Sequence, residues 1–169
     1  MPTFTKIETI TVGSGGVASV AFSSIPATYT DLILYASIRC TVGEDSAYLR
    51  FNNDSGSNYS WKRLLANGAS TSSLGASSQV QIPNLFMVDN GWTGNTFSSN
   101  MVYVPNYTGS TLKSVSLDAV TEANVANPRM NIAAGLWSGT AAITQVNLIP
   151  GAGNFAQYST FTLYGISNA

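Results

Sequence analysis

The stretch that decides the fold of this chain is LKSVSLDAVT, residues 112–121. In it, Val115, Leu117 and Ala119 alternate with two serines and an aspartate. Because successive side chains of an extended strand point to opposite sides, the three apolar residues share one face and the polar residues share the other. The pattern predicts a β-strand with one face in a hydrophobic core and one face in water.

Similar segments recur along the whole sequence. Short runs rich in β-branched and aromatic residues are separated by Gly, Ser, Asn and Pro, a spacing typical of β-sandwiches. No stretch of helical length has the apolar period of a helix. We therefore predict an all-β fold, an antiparallel β-sandwich of about ten strands in two sheets, as a single domain over residues 1–169. The predicted strands lie near residues 4–12, 17–23, 31–42, 46–52, 59–66, 79–87, 96–104, 111–121, 130–138, 143–149 and 159–166.

Two stretches give more specific predictions. Residues 31–42 are apolar on both faces, which predicts a central strand covered on both sides, with a loop or another subunit as the second cover. The tripeptide SGG at 14–16 separates two strand-like runs, 7–12 and 17–22. Paired glycines supply the positive φ that tight turns need, so we predict a hairpin between these runs.

Two long loops and the N-terminal end are singled out. Residues 66–79 are small and polar and are predicted to form a long surface loop, an unusual length for a compact domain. A second loop spans residues 89–95, with Trp92 at its centre. Residues 1–6 are expected to form a short N-terminal arm. These three segments are where we expect contacts with neighbouring molecules.

The composition favours assembly over chemistry. Of 169 residues, 44% are hydrophobic and 9% are charged, with a formal net charge of −1. An ordinary globular domain carries roughly 25% charged residues, so we expect much of this surface to be covered by copies of the chain or by a larger body. No basic patch of the kind that binds phosphates is present, and nucleic acid is not an expected partner.

Residue types that commonly perform catalysis are scarce. The chain has no histidine, so a Ser-His-Asp or Cys-His site is excluded. Asp118 and Glu122 are separated by about 13 Å along a strand, too far apart to act as a carboxylate pair by themselves. Glu44 and Asp45 are predicted to be turn residues. We expect no enzymatic activity and no catalytic residue.

Metal and cofactor sites are not expected either. Zinc is usually held by His and Cys, and the single cysteine, Cys40, lies in an apolar run and is predicted to be part of the core. Residues 52–58, NNDSGSN, loosely resemble an oxygen-rich calcium loop, but they lack the distal glutamate. A turn whose Asn and Asp side chains bond their own backbone is the preferred interpretation.

The N-terminal sequence gives an expectation about location. MPTFTK lacks the basic start and apolar stretch of a secretory signal, and no run approaches the roughly 18 apolar residues needed to cross a bilayer. We expect the chain to be made in a cytoplasm and to have no membrane partner.

Aromatic residues allow two interpretations. Three tryptophans and eight tyrosines are compatible with the stacking surface of a sugar-binding protein and equally with an ordinary β core. Trp61 and Trp137 lie in predicted strands and are expected to be core. Trp92 lies in a loop and is predicted to be at an interface or ligand surface.

Five stretches carry a resemblance to a known family. They are SIPATYTDL (24–32), VPNYTGS (104–110), GLWS (135–138), GNFAQYST (153–160) and LYGI (163–166). They resemble stretches of small β-rich virion proteins of tailed bacteriophages. Members of that family are similar to jelly-roll sandwiches that form homotrimers, either cementing the exterior of the capsid or serving as tail-fibre and spike modules.

The resemblance implies a non-enzymatic virion protein. The preferred interpretation is a capsid decoration, or cement, protein that forms a homotrimer on the surface of the head and binds the major capsid protein. The alternatives are a tail-fibre or receptor-binding module that recognises a host-surface glycan, and a free carbohydrate-binding module. The resemblance brings no active-site residues and no cofactor. The predicted interface residues are Trp92, Tyr107, Phe155 and Tyr158.

Overall fold

A computed structural model describes residues 1–167 and contains twelve β-strands in two antiparallel sheets, with no helix in that range. The all-β sandwich is thus confirmed, with one strand more than the eleven predicted segments. Its likeness to a jelly roll stays a prediction. The strands are β1 (Thr3–Thr11), β2 (Val20–Phe22), β3 (Asp31–Ser37), β4 (Ser46–Phe51), β5 (Tyr59–Asn67), β6 (Ser70–Gln79), β7 (Ile82–Phe86), β8 (Ser99–Val104), β9 (Lys113–Thr121), β10 (Arg129–Trp137), β11 (Val146–Pro150) and β12 (Thr160–Ser167).

The two sheets are unequal in size. The larger has eight strands in the order β1-β12-β3-β8-β9-β10-β5-β6, and the smaller has four in the order β2-β11-β4-β7. Every pairing between these strands is antiparallel. β7 of the small sheet packs against β9, β10 and β5 of the large one. The two faces of the large sheet therefore have different surroundings, one turned towards the small sheet and one turned away from it.

β9 confirms the alternation on which the fold prediction rests. Val115, Leu117 and Ala119 are buried, and the side chains between them are exposed or half-buried. Val115 and Leu117 belong to one large core between the sheets, which also includes Phe155 and Phe161, whose rings meet edge to face at 5.0 Å. Ala119 packs with Leu65 and Phe86 in a second, smaller cluster. Burial of apolar side chains of this size is the main favourable term in folding.

The predicted strand over residues 31–42 is central but shorter than expected. β3 lies between β12 and β8 and ends at Ser37. Ile38 then leaves the ladder, and its carbonyl accepts hydrogen bonds from the backbone amides of Val88 and Ser98. No loop within residues 1–167 covers Tyr35, which is 45% exposed in the single chain, so cover of that face by another subunit stays a prediction.

The turn at residues 14–16 forms, but the hairpin prediction is wrong. Gly15 and Gly16 have φ of 91° and 73°, as the sequence indicates. However, β1 pairs with β12 in the large sheet, and β2 pairs with β11 in the small sheet. The glycines therefore turn the chain from one sheet into the other.

One predicted loop is a strand, and part of the predicted N-terminal arm belongs to the strand predicted at 4–12. Residues 70–79 form β6, which pairs with β5 through a hairpin closed by Gly68, with φ of 55°, and Ala69. The predicted loop over 66–79 is therefore wrong: serine-rich sequence has low strand propensity, but pairing with β5 supplies the backbone partners. The predicted arm over residues 1–6 is strand from Thr3 onward, since Thr3 pairs with Ser167 of β12.

The predicted core positions are mostly confirmed. Cys40 is buried, its Sγ donates to the carbonyl of Ala152 at 3.3 Å, and burial raises the pKa of the thiol. Trp137 is buried in the core, and its Nε1 donates to Oδ2 of Asp54 at 2.7 Å. Trp61 is half-buried and packs against the edge of the core.

Candidate assembly surface

The face of the eight-stranded sheet that points away from the small sheet, here called the outer face, exposes large apolar side chains. β5 contributes Leu64, which is 65% exposed, and β10 contributes Met130 and Ile132, which are 58% and 62% exposed. Val120 of β9 is exposed as well. In most monomeric proteins, exposed apolar residues are scattered singly, so their concentration on one face distinguishes this surface.

Strand register brings these residues together. Ile132 pairs with Leu64, and Met130 lies between Val120 and Ala66. Cross-strand neighbours on one face have Cβ atoms about 4.5–5.5 Å apart, so Leu64, Val120, Met130 and Ile132 form one contiguous surface, here called the apolar patch. An open groove of about 440 Å³ lies beside the patch, between β10, β5 and β6.

The apolar patch belongs to a row that crosses the whole sheet. The outer row consists of Thr9, Thr162, Tyr35, Met101, Asp118, Ile132, Leu64 and Ser73, one from each strand. The two threonine hydroxyls lie 3.1 Å apart. Asp118 is the one side chain of the row that is charged at neutral pH, so the outer row presents mostly uncharged surface to whatever covers it.

Three tyrosines occupy the other half of the outer face. Tyr35 and Tyr164 meet edge to face, with ring centroids 6.1 Å apart, and Tyr103 and Tyr164 flank Ile33 from the two neighbouring strands. Tyr103 donates its hydroxyl to Oδ2 of Asp31 at 2.9 Å. That hydrogen bond, with burial as a smaller cause, raises the pKa of Tyr103. Tyr35, Tyr103 and Tyr164 are here called the tyrosine cluster.

Charge is sparse over the centre of the outer face. Among the outward-facing residues of β5, β8, β9 and β10, the charged ones are Lys62 and Asp118. Lys62 borders a second open groove, of about 770 Å³, together with serines 60, 73, 77 and 114. One lysine and one aspartate are too few charges to attract a strongly charged partner. Any partner of this face must therefore be recognised mainly by apolar contact.

The structure places two of the predicted interface residues in the core, which corrects those predictions. Tyr107 is fully buried, its hydroxyl donates to the carbonyl of Pro26, and burial raises its pKa. Phe155 is also fully buried and forms bridges with Val17 and Cys40. Both side chains fill the interior of this chain, so neither is available to a partner.

The other two predicted interface residues have accessible surface. Tyr158 is 66% exposed and has a φ of 71°, an uncommon conformation for a residue other than glycine. Trp92 is half-buried in a loop that Arg39 organises. The guanidinium of Arg39 donates to the carbonyls of Asn90, Trp92, Thr93 and Thr96 at 2.9–3.2 Å. Their interface role stays a prediction.

The sequence prediction missed the residues of the apolar patch and the tyrosine cluster. One signal was available in β10. Its outward residues include Met130 and Ile132, whereas its inward residues include Asn131, whose Nδ2 donates to the carbonyl of Asn84 at 3.0 Å. A strand whose outward face is more apolar than parts of its core face is a candidate for an interaction surface.

Three acidic residues, Glu44, Asp45 and Asp54, are held by hydrogen bonds or an ion pair within the chain. Oε1 of Glu44 accepts from the amides of Asp45 and Ser46, and Asp45 forms a 2.5 Å ion pair with Arg129. Asp54 accepts from Trp137 and Asn58, and these contacts, that of Trp137 above all, lower its pKa. Residues 52–58 therefore form a turn bonded to its own chain.

Within residues 1–167, no three His, Cys, Asp or Glu side chains lie close enough to hold a metal ion. The same residues include no helix with the length and apolarity to cross a membrane. The sequence matches no protein-family model and no curated protein.

Proposed function

We propose that this chain is a non-enzymatic structural protein of a bacteriophage virion, a capsid decoration protein that forms a homotrimer on the outside of the head and binds the major capsid protein. The observation that carries the proposal is the outer face, where the apolar patch and the tyrosine cluster share one side of a continuous sheet. The trimer and the capsid partner come from the resemblance of five sequence stretches to phage virion proteins.

The size of the apolar patch supports a role in assembly. Full burial of a Leu, Ile or Met side chain from an exposed state gains roughly 1.5–3 kcal/mol. The patch residues are about half exposed in the single chain, so each retains about half of that gain for a partner. Symmetry repeats such contacts over a lattice, and many modest contacts then hold together through avidity.

The scarcity of charge has a consequence for binding. Attraction between exposed charges is screened by salt, with a Debye length of about 8 Å at physiological ionic strength. Lys62 and Asp118 are the charges at the centre of the outer face, so electrostatic attraction contributes little to binding and salt has little effect on it. Attachment to heads through this face should therefore persist at high salt.

The test is co-sedimentation of the purified chain with phage heads that lack it. Ile132→Asp places a charge in the middle of the apolar patch and should abolish binding, because a carboxylate cannot be buried there without a partner. Ala21→Asp is the matched control, since Ala21 is exposed on β2 of the small sheet, remote from the outer face. Equal binding by both variants would refute a role for the patch.

The tyrosine cluster supports one alternative, a tail-fibre or receptor-binding module for a host-surface glycan. Tyr35 presents an exposed ring beside Tyr164, and exposed aromatic faces are the usual platform for sugar rings. Glycan-array binding that disappears in both Tyr35→Ala and Trp92→Ala would favour this function over capsid decoration. Absence of any glycan signal from the unmodified chain would remove it.

A further inference from the structure

β6 is an edge of the eight-stranded sheet, and its pairing with β5 is regular from Ser70 to Ala76, with a register shift beyond Ala76. At ten residues, STSSLGASSQ, it is the longest strand, and it contains no charged residue and no proline. Natural edge strands are usually blunted by Lys, Pro, a bulge or a short length, because their free backbone groups pair readily with another strand. β1, at the opposite edge, has Lys6 and Glu8 with an irregularity in register between them.

Leu74 is the one large apolar side chain of β6. It points to the side of the small sheet, opposite Arg63 of β5, yet it is 49% exposed. The strand around it is exposed on both faces. A leucine at the middle of an open edge strand is where a second strand would gain the most buried apolar surface.

The hairpin determines which backbone groups of β6 are free. Asn67 and Ser70 flank the two-residue turn, and such a flanking pair exchanges both backbone hydrogen bonds. Bonded and non-bonded pairs then alternate along the strands, so residues 70, 72 and 74 bond to β5. The amides and carbonyls of residues 71, 73 and 75 point away from the sheet.

We propose that β6 pairs antiparallel with β6 of a second copy, about a two-fold axis at Leu74. In this register Ser73 faces Gly75 of the partner, and both residues have outward backbone groups, so they exchange hydrogen bonds. The two Leu74 side chains then face each other in a non-bonded pair, the kind whose side chains lie closest. Ser72 faces Ala76, and no charge meets another.

A second copy fits this edge better than an unrelated strand because the register is self-complementary. The axis is perpendicular to the sheet, so residues paired across the two strands must point to the same side of the sheet. The register centred on Leu74 meets that condition. It also leaves the apolar patches of both copies on one side of a continuous sheet. The contact is isologous, and it stands whether or not the chain binds a phage head.

Disulfide trapping tests the register. In a non-bonded antiparallel pair the Cα atoms are about 4.5 Å apart, within the roughly 4.4–6.8 Å that a disulfide spans. Leu74→Cys should therefore form a covalent dimer under mild oxidation. Ser72→Cys is the matched control on the same strand and face, because the two Ser72 residues would be about 13 Å apart along the pair. Equal cross-linking of both variants, or none in Leu74→Cys, would overturn the proposal.

Sedimentation tests the contact without a new thiol. Leu74→Lys places two ammonium groups opposite each other, and like charges directly opposed destabilise a strand pair. If the chain also forms the proposed homotrimer, the unmodified chain should assemble beyond three copies and the Leu74→Lys variant should stop at three. If the chain forms no homotrimer, the unmodified chain should have the mass of two copies and the variant the mass of one. Identical masses for a variant with unchanged circular dichroism would overturn the proposal.

Discussion

Two rows of side chains cross the eight-stranded sheet one residue apart along each strand, and their surroundings differ over the central strands. The inner row consists of Glu8, Leu163, Leu34, Val102, Leu117, Ala133, Arg63 and Leu74. From Leu163 to Ala133 it is buried against the small sheet. The outer row has Tyr35, Met101, Ile132 and Leu64 at comparable positions, and two of these are more than half exposed.

This difference separates stability from assembly. The inner row closes the core, so its apolar side chains account for the folding of the single chain. The outer row contributes little to that core, yet it is also rich in large apolar residues. Apolar surface that the fold does not need, gathered on one face, is the mark of an interaction site.

The largest expected effect is in the inner row. Leu117→Ala removes a fully buried side chain from the centre of the core and should lower the free energy of unfolding by about 2–5 kcal/mol. Denaturant unfolding followed by circular dichroism measures the loss. A change below about 1 kcal/mol would mean that the inner row does not carry the fold.

A second effect of the inner face depends on pH. Tyr59, whose hydroxyl accepts from the amide of Phe51 at 3.0 Å, is buried, and burial raises its pKa to about 12. The folded state thus holds the phenol neutral above its unfolded pKa of about 10. The contribution of the neutral Tyr59 phenol to the free energy of unfolding is fully present below pH 10. The free energy of unfolding should fall by about 2–3 kcal/mol as pH rises towards 12.

The control for this pH effect is Tyr59→Phe, which keeps the ring and removes the ionisable group. The variant is less stable at neutral pH, because the Phe51 amide loses its acceptor. Its stability should nevertheless decline less steeply between pH 10 and 12. Parallel stability curves for the two chains would show that Tyr59 is not held neutral by the core.

The smallest effect is expected in the outer row. Ile132→Asp should change the free energy of unfolding of the single chain by no more than about 0.5 kcal/mol, as for most surface substitutions. The measurement is made at a dilution where copies do not associate. A loss comparable to that of Leu117→Ala would erase the distinction between the two rows.

The sequence predicts the strands best where alternation is clean. β9 follows from its pattern, since Val115, Leu117 and Ala119 are separated by polar residues. β6 does not, because Ser, Gly and Ala have low strand propensity and its conformation depends on a partner strand. The glycines at 15 and 16 indicate a turn, but a turn alone does not determine in which sheet the next strand pairs.

The candidate surface was harder to predict than the fold. Tyr107 and Phe155 lie in irregular segments, where no alternation shows whether a side chain points inward, and both fill the core. The tyrosine cluster and the apolar patch are scattered over six strands, and their proximity follows from strand order and register. Those depend on long-range pairing, which a local pattern does not contain.

The most direct test of the proposed function is the number of copies of this chain per virion, measured by quantitative mass spectrometry of purified particles against the major capsid protein. Capsid decoration predicts near-stoichiometric abundance, on the order of hundreds of copies, because icosahedral symmetry repeats each site. A few to some tens of copies would contradict a shell position and indicate a tail or fibre. Absence from the particle would contradict the virion function altogether.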